Sequence, residues 1–412
     1  MNKLLQTKLS VMMFLEFFVW GAWFVTLGTF LASNLNATGT QMGSAFATQS
    51  WGAIIAPFIV GLIADRYFNA ERILGVIHLI GAVLMYLMAS ATDFAIFYPY
   101  VLVYMILFMP TLALVNSISF RQMKDPSQDF AKIRVMGTIG WIVAGLFISY
   151  VFSWDSPEAI EQGYLANTFM MGAVVSAILG LYSFTLPKTP PTVDREKDVS
   201  VKELLGLDAL GMLKDRNFLI FVIASILISI PLAFYYQIAN PFLVAVDVEN
   251  ATGIMTIGQA SEALFMLLIP VFLTRFGIKK TLLLGMIAWA ARYALFAFGD
   301  SGSLLFMLII GIALHGLCYD FFFVAGQIYT DSKAGKKFKS SAQGLITLAT
   351  YGIGMLIGFY AAGWIYDAYQ MANGNYNWFM IWIIPGIFAL GVFVFYYLTF
   401  KPENIEYDVS EI

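Results

Sequence analysis

The sequence predicts an all-α membrane protein with twelve transmembrane helices. Three observations support this prediction: the composition, the recurrence of long apolar runs and the placement of basic residues. Of the 412 residues 60% are hydrophobic and only 12% are charged, and the mean hydropathy is +0.77. Because a soluble domain has about 25% charged residues, this composition indicates a chain that crosses the membrane many times.

Apolar runs recur along the whole chain, and each is long enough for a membrane helix, which needs about 20 residues. The first run begins near Leu9, after Lys3 and Lys8. It is too long for the core of a signal peptide, so we interpret it as a membrane span. The predicted spans are 9–33, 41–63, 71–91, 97–119, 132–153, 164–186, 217–245, 254–274, 280–298, 303–329, 341–366 and 377–399.

Basic residues alternate from one connecting segment to the next. The N-terminal tail, every second loop and the C-terminal tail hold 21 of the 23 Lys and Arg residues. Lys and Arg accumulate on the cytoplasmic side of membrane proteins, so both termini are expected to be cytoplasmic. The loops without any basic residue, predicted to face outside, are 34–40, 92–96, 154–163, 246–253, 299–302 and 367–376.

One long polar segment divides the predicted spans six and six. Charge recurs at the same point of each half, in "GLIADRYFNAERILG" after span 2 and in "PVFLTRFGIKKTLLLG" after span 8. Duplicated halves joined by a cytoplasmic loop are typical of secondary transporters. We therefore predict a six-helix bundle at 1–187, a linker at 188–216, a second six-helix bundle at 217–400 and a cytoplasmic tail at 401–412.

Several classes of protein are disfavoured by what the sequence lacks. The single cysteine, Cys318, allows no disulfide within the chain, and a count of only two histidines, His78 and His315, disfavours a His-based metal site. Neither a P-loop nor a G-x-S-x-G or H-E-x-x-H motif is present, so the chain lacks the machinery of an ATP-driven pump or of a common hydrolase. We expect no enzymatic activity, no cofactor and no nucleic acid partner.

Ionisable residues inside the spans are candidates for function, because each must be offset by a partner or by water. Five stand out in the sequence, namely Glu16, Arg134, Glu262, Arg292 and Asp320. For Glu16 a structural ion pair or an interfacial site is as well supported as a role in transport. For Arg292 we favour a structural pairing or a side chain that extends toward the outer surface.

Polar and aromatic residues cluster at helical spacing on several spans. Amides and carboxylates suit a neutral polyhydroxylated ligand, and aromatic side chains suit its flat ring. The alternatives are interhelical hydrogen bonds for the amides and Thr138, and core packing for the aromatic residues. The clusters are Arg134, Thr138 and Trp141; Gln237 and Asn240, directly before Pro241; Gln259 and Glu262; and His315 and Tyr319, with Asp320 beside them.

These segments resemble the bacterial nucleoside:proton symporter family of the major facilitator superfamily. "GLIADRYF" resembles the signature loop of the superfamily, although "NAERIL" departs from its continuation. More specific similarities to the nucleoside family lie in "FFVWGAWFVTLGTF", "MPTLALVNSISF", "IRVMGTIGW", "LLGLDAL", "SEALFMLLIPVFLTRFGIKK", "ARYALFAFGD" and "CYDFFFVAGQIY".

The resemblance implies the twelve-helix fold of that superfamily and nucleoside uptake with a proton, by alternating access, across a bacterial inner membrane. Asp320 and Glu262 are the candidate proton carriers, because a carboxylate buried near other acids can take up a proton on one side of the membrane and release it on the other. Four residues depart from the family: His315 replaces a tyrosine, Trp141 and Tyr319 replace phenylalanines, and Glu16 replaces a glutamine. The substrate-binding residues that it implies are Arg134, Thr138, Trp141, Gln237, Asn240, Gln259, Glu262, His315, Tyr319 and Asp320.

Other interpretations remain open from the sequence. The nearest is a facilitator transporter of another small polar solute, such as a sugar or a nucleobase. A sensor built on the same scaffold and a membrane enzyme are further alternatives. We expect a monomer surrounded by membrane lipids, with uridine, adenosine or similar nucleosides as substrates. His315 is also expected to add a protonation step in the range of about pH 5 to 8, where imidazole titrates.

Overall fold

The computed structural model describes residues 2–59, 67–123, 126–191 and 207–403. The signature segment Gly61–Arg66 and most of the predicted linker lie outside these residues. Within them the chain is almost entirely helical, and the one β-type contact is a bridge between Gln370 and Tyr376.

The helices follow one another with short connections. In chain order they are α1 (Lys3–Gly21), α2 (Leu27–Asn34), α3 (Gly39–Ile59), α4 (Ala70–Ala89), α5 (Phe94–Gln122), α6 (Pro126–Leu146), α7 (Pro157–Glu161), α8 (Ala166–Ser183), α9 (Arg216–Ala245), α10 (Ala251–Met266), α11 (Ile269–Phe298), α12 (Leu305–Tyr319), α13 (Ala325–Thr347), α14 (Met355–Ala368) and α15 (Trp378–Thr399). A 3₁₀ helix covers Leu207–Lys214, and π-helical segments cover Phe147–Val151, Asp320–Val324 and Leu348–Gly354.

The prediction of an all-α membrane protein is confirmed. In the described ranges, ten helices are long and apolar enough to cross a bilayer. Of the remaining predicted spans, one corresponds to α10, which has only 16 residues, and another to α3, which runs to the end of a described range at Ile59. The first predicted span is two helices, α1 and α2, with a turn between them.

Two glycines divide long helices at places where the sequence predicts loops. Gly277 in α11 has φ 73° and Gly335 in α13 has φ 60°. Glycine adopts positive φ without a steric penalty. These breaks separate the predicted spans 254–274 and 280–298, and the predicted spans 303–329 and 341–366, as the sequence indicates.

The chain folds into two compact units. The first unit consists of Met1–Ala37, Thr48–Val201 and Glu249–Thr256, and the second of Thr38–Ala47, Lys202–Val248 and Ile257–Ile412. In the first unit, α1 packs along α6, and α4 packs on α5 and α8. In the second, α11 packs on α12 and α15, and α9 packs on α14 and α15.

Carboxylates from distant parts of the chain cap two helices. At the start of α3, Asp367 accepts hydrogen bonds from the N–H groups of Gly39 and Thr40, at 2.5 and 2.8 Å. At the start of α10, Asp155 accepts a hydrogen bond from the N–H of Thr252, at 3.0 Å. The first N–H groups of a helix have no acceptor within the helix. Each carboxylate therefore accepts hydrogen bonds from backbone N–H groups that would otherwise lack a partner in the helix.

Candidate functional site

The residues that the sequence predicts to bind substrate are distributed over both units, and each group is described by itself. The first unit holds Arg134, Thr138 and Trp141, and the second holds Gln237, Asn240, Gln259, Glu262, His315, Tyr319 and Asp320.

In the first unit, the predicted face of α6 lies beside α1. Arg134, Thr138 and Trp141 are all half-buried. The Arg134 guanidinium lies 4.2 Å from the centre of the Phe17 ring, a cation–π contact. The Trp141 ring meets Trp20 edge to face, with their centres 5.4 Å apart. The face therefore combines a cation, a hydroxyl and an aromatic ring.

In the second unit, Asp320 is fully buried, and neither carboxyl oxygen has a hydrogen-bond partner among the described residues. It begins the π-helical segment Asp320–Val324, a local widening that occurs frequently at functional sites. An ionised carboxylate in such a place is far more costly than the neutral acid. The structure therefore fits a protonated Asp320.

Glu262 lies on α10, which approaches α12 very closely at Gly316. The N–H of Gly316 donates to Ser261 Oγ at 3.0 Å. A Cβ atom at Gly316 would collide with the backbone of Ser261 and Glu262. The absence of a side chain at Gly316 thus brings the Glu262 segment against the helix that leads into Asp320.

His315 contacts a buried arginine. Arg292 is fully buried, its Nη1 lies 3.0 Å from His315 Nδ1, and its Nε donates to the carbonyl of Gly311 at 3.0 Å. The expected structural pairing of Arg292 is therefore confirmed, and the alternative, a side chain that reaches toward the surface, is wrong. The reason is that the guanidinium finds both acceptors and an aromatic face inside the unit.

Tyr319 makes a contact that the sequence did not predict. Its hydroxyl lies 2.5 Å from the hydroxyl of Tyr351, and both residues are half-buried. Tyr351 belongs to the π-helical segment Leu348–Gly354. It stands in "YGIGMLIGFY", where the glycine spacing indicates close helix packing. The sequence therefore indicates that this segment packs against another helix, but it does not identify Tyr319 as the residue that Tyr351 contacts.

Gln237 is fully buried, and its amide is held by backbone groups. In the orientation that satisfies its neighbours, it donates to the carbonyl of Phe359 at 3.0 Å and accepts from the N–H groups of Gly43 and Gly363, both at 3.3 Å. These contacts correspond to the interhelical bonding named as an alternative. Asn240 is buried one turn further along α9, and Gln259 is half-buried on α10.

The first unit contains a polar network that sequence reasoning missed in part. Glu16 Oε2 lies 2.8 Å from His78 Nε2, and Thr111 Oγ1 lies 2.5 Å from Glu16 Oε1. His78 Nδ1 lies 3.0 Å from Ser176 Oγ. All four residues are buried. Glu16 is among the ionisable residues that the sequence analysis names as candidates, whereas its partner His78 is not. The position of His78 inside the predicted span 71–91 is the feature of the sequence that could have identified it.

Comparison with known proteins identifies the family. A sequence model described as nucleoside H+ symporter matches residues 3–405. The chain is 43% identical to the putative nucleoside transporter YegT of Escherichia coli, over 98% of this chain and 96% of that protein. It is 34% identical to the xanthosine permease of Escherichia coli, over 97% of this chain and 98% of the relative.

The chain belongs to the nucleoside H+ symporter family. Its fold resembles the crystal structure of the nucleoside transporter NupG, with a TM-score of 0.85 and 30% identity, covering 98% of this chain and all of that one. The resemblance noted in the sequence is therefore confirmed. As a member of the nucleoside H+ symporter family, the chain is a multi-pass transporter of the bacterial inner membrane that couples nucleoside movement to protons.

Proposed function

We propose that Asp320 carries the coupled proton and that the second unit supplies most of the contacts to the nucleoside. The observation that supports this most directly is the fully buried carboxyl of Asp320, which has no hydrogen-bond partner among the described residues. Such a group is stable when protonated and costly when ionised. Its protonation state therefore depends on whether water can reach it.

This dependence provides a coupling mechanism. When water from the outside reaches Asp320, the carboxyl takes up a proton from the more acidic side, and closure of the helices around it then buries the neutral acid. When water from the cytoplasm reaches Asp320, it stabilises the carboxylate and the proton is released. Glu262 lies on α10 in close contact with α12, and we propose that it assists this transfer or binds the nucleoside directly.

The proposed ligand contacts follow from the chemistry of each side chain. Amides and carboxylates recognise ribose hydroxyls and base edges, whereas aromatic rings pack against the base. Gln237 is engaged by backbone in this structure, so we propose that it changes partners during transport. The proposed binding residues are Arg134, Thr138, Trp141, Gln237, Asn240, Gln259, Glu262, His315, Tyr319 and Asp320.

We further propose that the chain has twelve membrane spans, with both termini in the cytoplasm. The alternation of Lys and Arg along the loops supports this topology, and ten helices in the described ranges are long and apolar enough to serve as spans in it. In this proposal residues 1–187 and 217–400 are the two six-helix bundles, and the protein works as a monomeric permease without an enzymatic step.

The names of the relatives suggest substrates to test first. We propose that uridine, adenosine or a similar nucleoside is carried, with xanthosine included because one relative is a xanthosine permease. Purified protein in proteoliposomes is expected to accumulate labelled nucleoside when an inward proton gradient is imposed. A protonophore should reduce the accumulated nucleoside to the equilibrium level, with protein-free liposomes as the control.

Competition separates this proposal from its nearest alternative. An excess of unlabelled nucleosides should block uptake, whereas sugars and free nucleobases should not. Gradient-driven accumulation of a sugar or a nucleobase, without any uptake of nucleosides, would contradict the proposed substrate class. Nucleoside uptake that ignores the gradient would instead contradict the coupling role of Asp320.

A further inference from the structure

Arg292 is a buried cation in an aromatic environment. Its guanidinium carbon lies 3.8 Å from the centre of the Tyr235 ring, and its Nε donates to the carbonyl of Gly311 at 3.0 Å. Its Nη1 lies 3.0 Å from Nδ1 of His315. Because Arg292 is fixed on one side by α12 and on another by Tyr235 of α9, the contact with His315 is held in place by packing.

The hydrogen bond between Arg292 and His315 determines which ring nitrogen carries the proton. A guanidinium has five N–H donors, has no acceptor and stays protonated in proteins. Nδ1 of His315 must therefore accept, so the proton of the neutral ring is on Nε2. A doubly protonated ring would place two N–H donors 3.0 Å apart and a second positive charge beside the guanidinium, so hydrogen bonding and charge both disfavour that form.

We propose that Arg292 is a positioning residue that holds His315 in its neutral Nε2–H form, so that His315 offers the nucleoside a constant hydrogen-bond donor. The proposal rests on the proposed nucleoside site and deepens it. Under this arrangement His315 does not supply the titration that its residue type suggests. It recognises an acceptor atom instead, at every pH at which the transporter works.

The groups around His315 indicate which part of the nucleoside it meets. The Tyr235 ring stacks on the imidazole at 4.9 Å, and Tyr236 and Tyr319 approach it at 6.3 and 5.8 Å between ring centres. From α10 the backbone at Gly258 faces the His315 Cβ. Further ionisable groups on the same elements are Glu262 on α10, Cys318 on α12 and Asp320 on the segment that follows α12.

Tyr235 lies buried between Arg292 and the imidazole, but Tyr236 and Tyr319 are half-buried, and flat rings of this kind suit a planar base better than a ribose. The donor on Nε2 then requires an acceptor on the base, either a carbonyl oxygen or an unprotonated ring nitrogen. The proposed partner of His315 is therefore an acceptor atom at the edge of the base, and Arg292 contributes to base selection through His315 without touching the ligand.

The protonation state can be measured without transport. The chain has only two histidines, His78 and His315, so protein labelled with ¹⁵N-histidine gives two imidazole signal sets, and His315→Gln assigns them. We expect an unprotonated Nδ1 and a protonated Nε2 for His315, unchanged between about pH 5 and 8. A protonated Nδ1 in the wild-type protein at any of these pH values would overturn the proposal.

Two variants separate positioning from simple structural support. In Arg292→Met, Nδ1 of His315 no longer accepts a hydrogen bond from a guanidinium. The ¹⁵N signals of His315 should therefore become pH-dependent, and the affinity for uridine should acquire the same pH dependence. In Arg292→Lys a cationic N–H donor remains, and the wild-type signals should return at least in part. If both variants keep the wild-type ¹⁵N signals, Arg292 does not position His315 and the proposal fails.

Base analogues test the donor itself. Uridine is compared with analogues that lack the carbonyl oxygen at C2 or at C4, and adenosine with 1-deaza-, 3-deaza- and 7-deazaadenosine, each in wild-type protein and in His315→Phe. In the wild-type protein, the analogue that lacks the acceptor bound by His315 should bind about tenfold more weakly than the natural nucleoside, the scale of one buried hydrogen bond. In His315→Phe, which has no imidazole donor, the analogue and the natural nucleoside should bind with equal affinity.

The outcomes distinguish this inference from the proposed function. If nucleosides are taken up with protons and each of these base acceptors proves dispensable in the wild-type protein, the proposed function stands and the donor role of His315 is overturned. If the ¹⁵N signals match the Nε2–H form and no nucleoside binds at all, the donor role and the proposed substrate class are overturned together. Circular dichroism of each variant verifies that it is folded.

Discussion

Glu16 and His78 are 62 residues apart in the chain and form a hydrogen-bonded acid–base pair in the interior of the first unit, with 2.8 Å between Oε2 and Nε2. Ser176 Oγ–H donates to the carbonyl of His78 at 2.9 Å, so its oxygen accepts from Nδ1–H of the same residue. His78 Nε2 and the Glu16 carboxyl therefore share one proton. The pair is hydrogen-bonded both as neutral imidazole with carboxylic acid and as imidazolium with carboxylate.

Removal of His78 should destabilise the first unit strongly. His78→Phe leaves a buried carboxyl without its main partner, and breaking a buried pair in this way costs about 3–5 kcal/mol. Glu16→Gln keeps an acceptor for Thr111 and a donor for the neutral imidazole, so its effect should be small. We expect a decrease in melting temperature on the order of 10 °C for His78→Phe, followed by circular dichroism. Equal melting temperatures for the two variants would contradict the pairing.

Replacement of Asp320 should separate binding from coupling. Asn cannot exchange a proton, so Asp320→Asn is expected to bind nucleoside and to equilibrate it without accumulation, whatever proton gradient is applied. The matched control is Asp93→Asn, the same change at an exposed carboxylate that caps α5 through the N–H of Ile96. Uptake into proteoliposomes is the measurement. Concentration of substrate against its gradient by Asp320→Asn would rule out the proposed role.

The close approach of α10 and α12 makes Gly316 intolerant of a side chain. Gly316→Ala forces the Ser261–Glu262 backbone away from α12, at an overpacking cost of about 1–3 kcal/mol. Gly391→Ala is the matched control, because a Cβ atom there meets nothing within 4 Å. The buried thiol of Cys318 lies two residues from Gly316, so the rate of its reaction with a maleimide dye reports the disturbance. The rate should rise in Gly316→Ala only.

The cap of α3 is expected to contribute to stability through Asp367. Asp367→Ala removes the acceptor of two backbone N–H groups and should cost about 1 kcal/mol or somewhat more, as for other N-caps. Asp367→Asn retains one acceptor oxygen and should lie between the alanine variant and the wild type. Thermal unfolding monitored by circular dichroism ranks the three proteins, and an alanine variant as stable as the wild type would contradict the role of the cap.

Acidification should weaken the N-terminal cap of α9. Partial burial acts to raise the pKa of Asp215, but the N–H of Phe218 and the ammonium of Lys333, at 2.8 and 3.3 Å, outweigh it and hold the pKa below its ordinary value. A lowered pKa means that the stabilising contribution is present above the ordinary value of about 3.9 and is lost as the pH falls further. The melting temperature of Asp215→Asn should therefore decrease less than that of the wild type between about pH 5 and pH 3.

The all-α membrane class followed from the sequence because helices in a bilayer must satisfy their own backbone hydrogen bonds, which demands long apolar runs. The breaks at Gly277 and Gly335 coincide with predicted loops for a similarly local reason, since charge and glycine mark where a helix leaves the membrane. Asp320 also stood out locally, because a carboxylate within an apolar run requires an explanation whatever surrounds it.

The partners of these residues were decided by tertiary structure alone. Helical spacing shows which side chains share a face, but it does not specify which other helix that face meets. The pairs Glu16–His78, Arg292–His315 and Asp367–Gly39 join residues 62, 23 and 328 positions apart. Their hydrogen bonds depend on angles and distances between packed helices, and those arise only when the apolar surfaces of the helices come together.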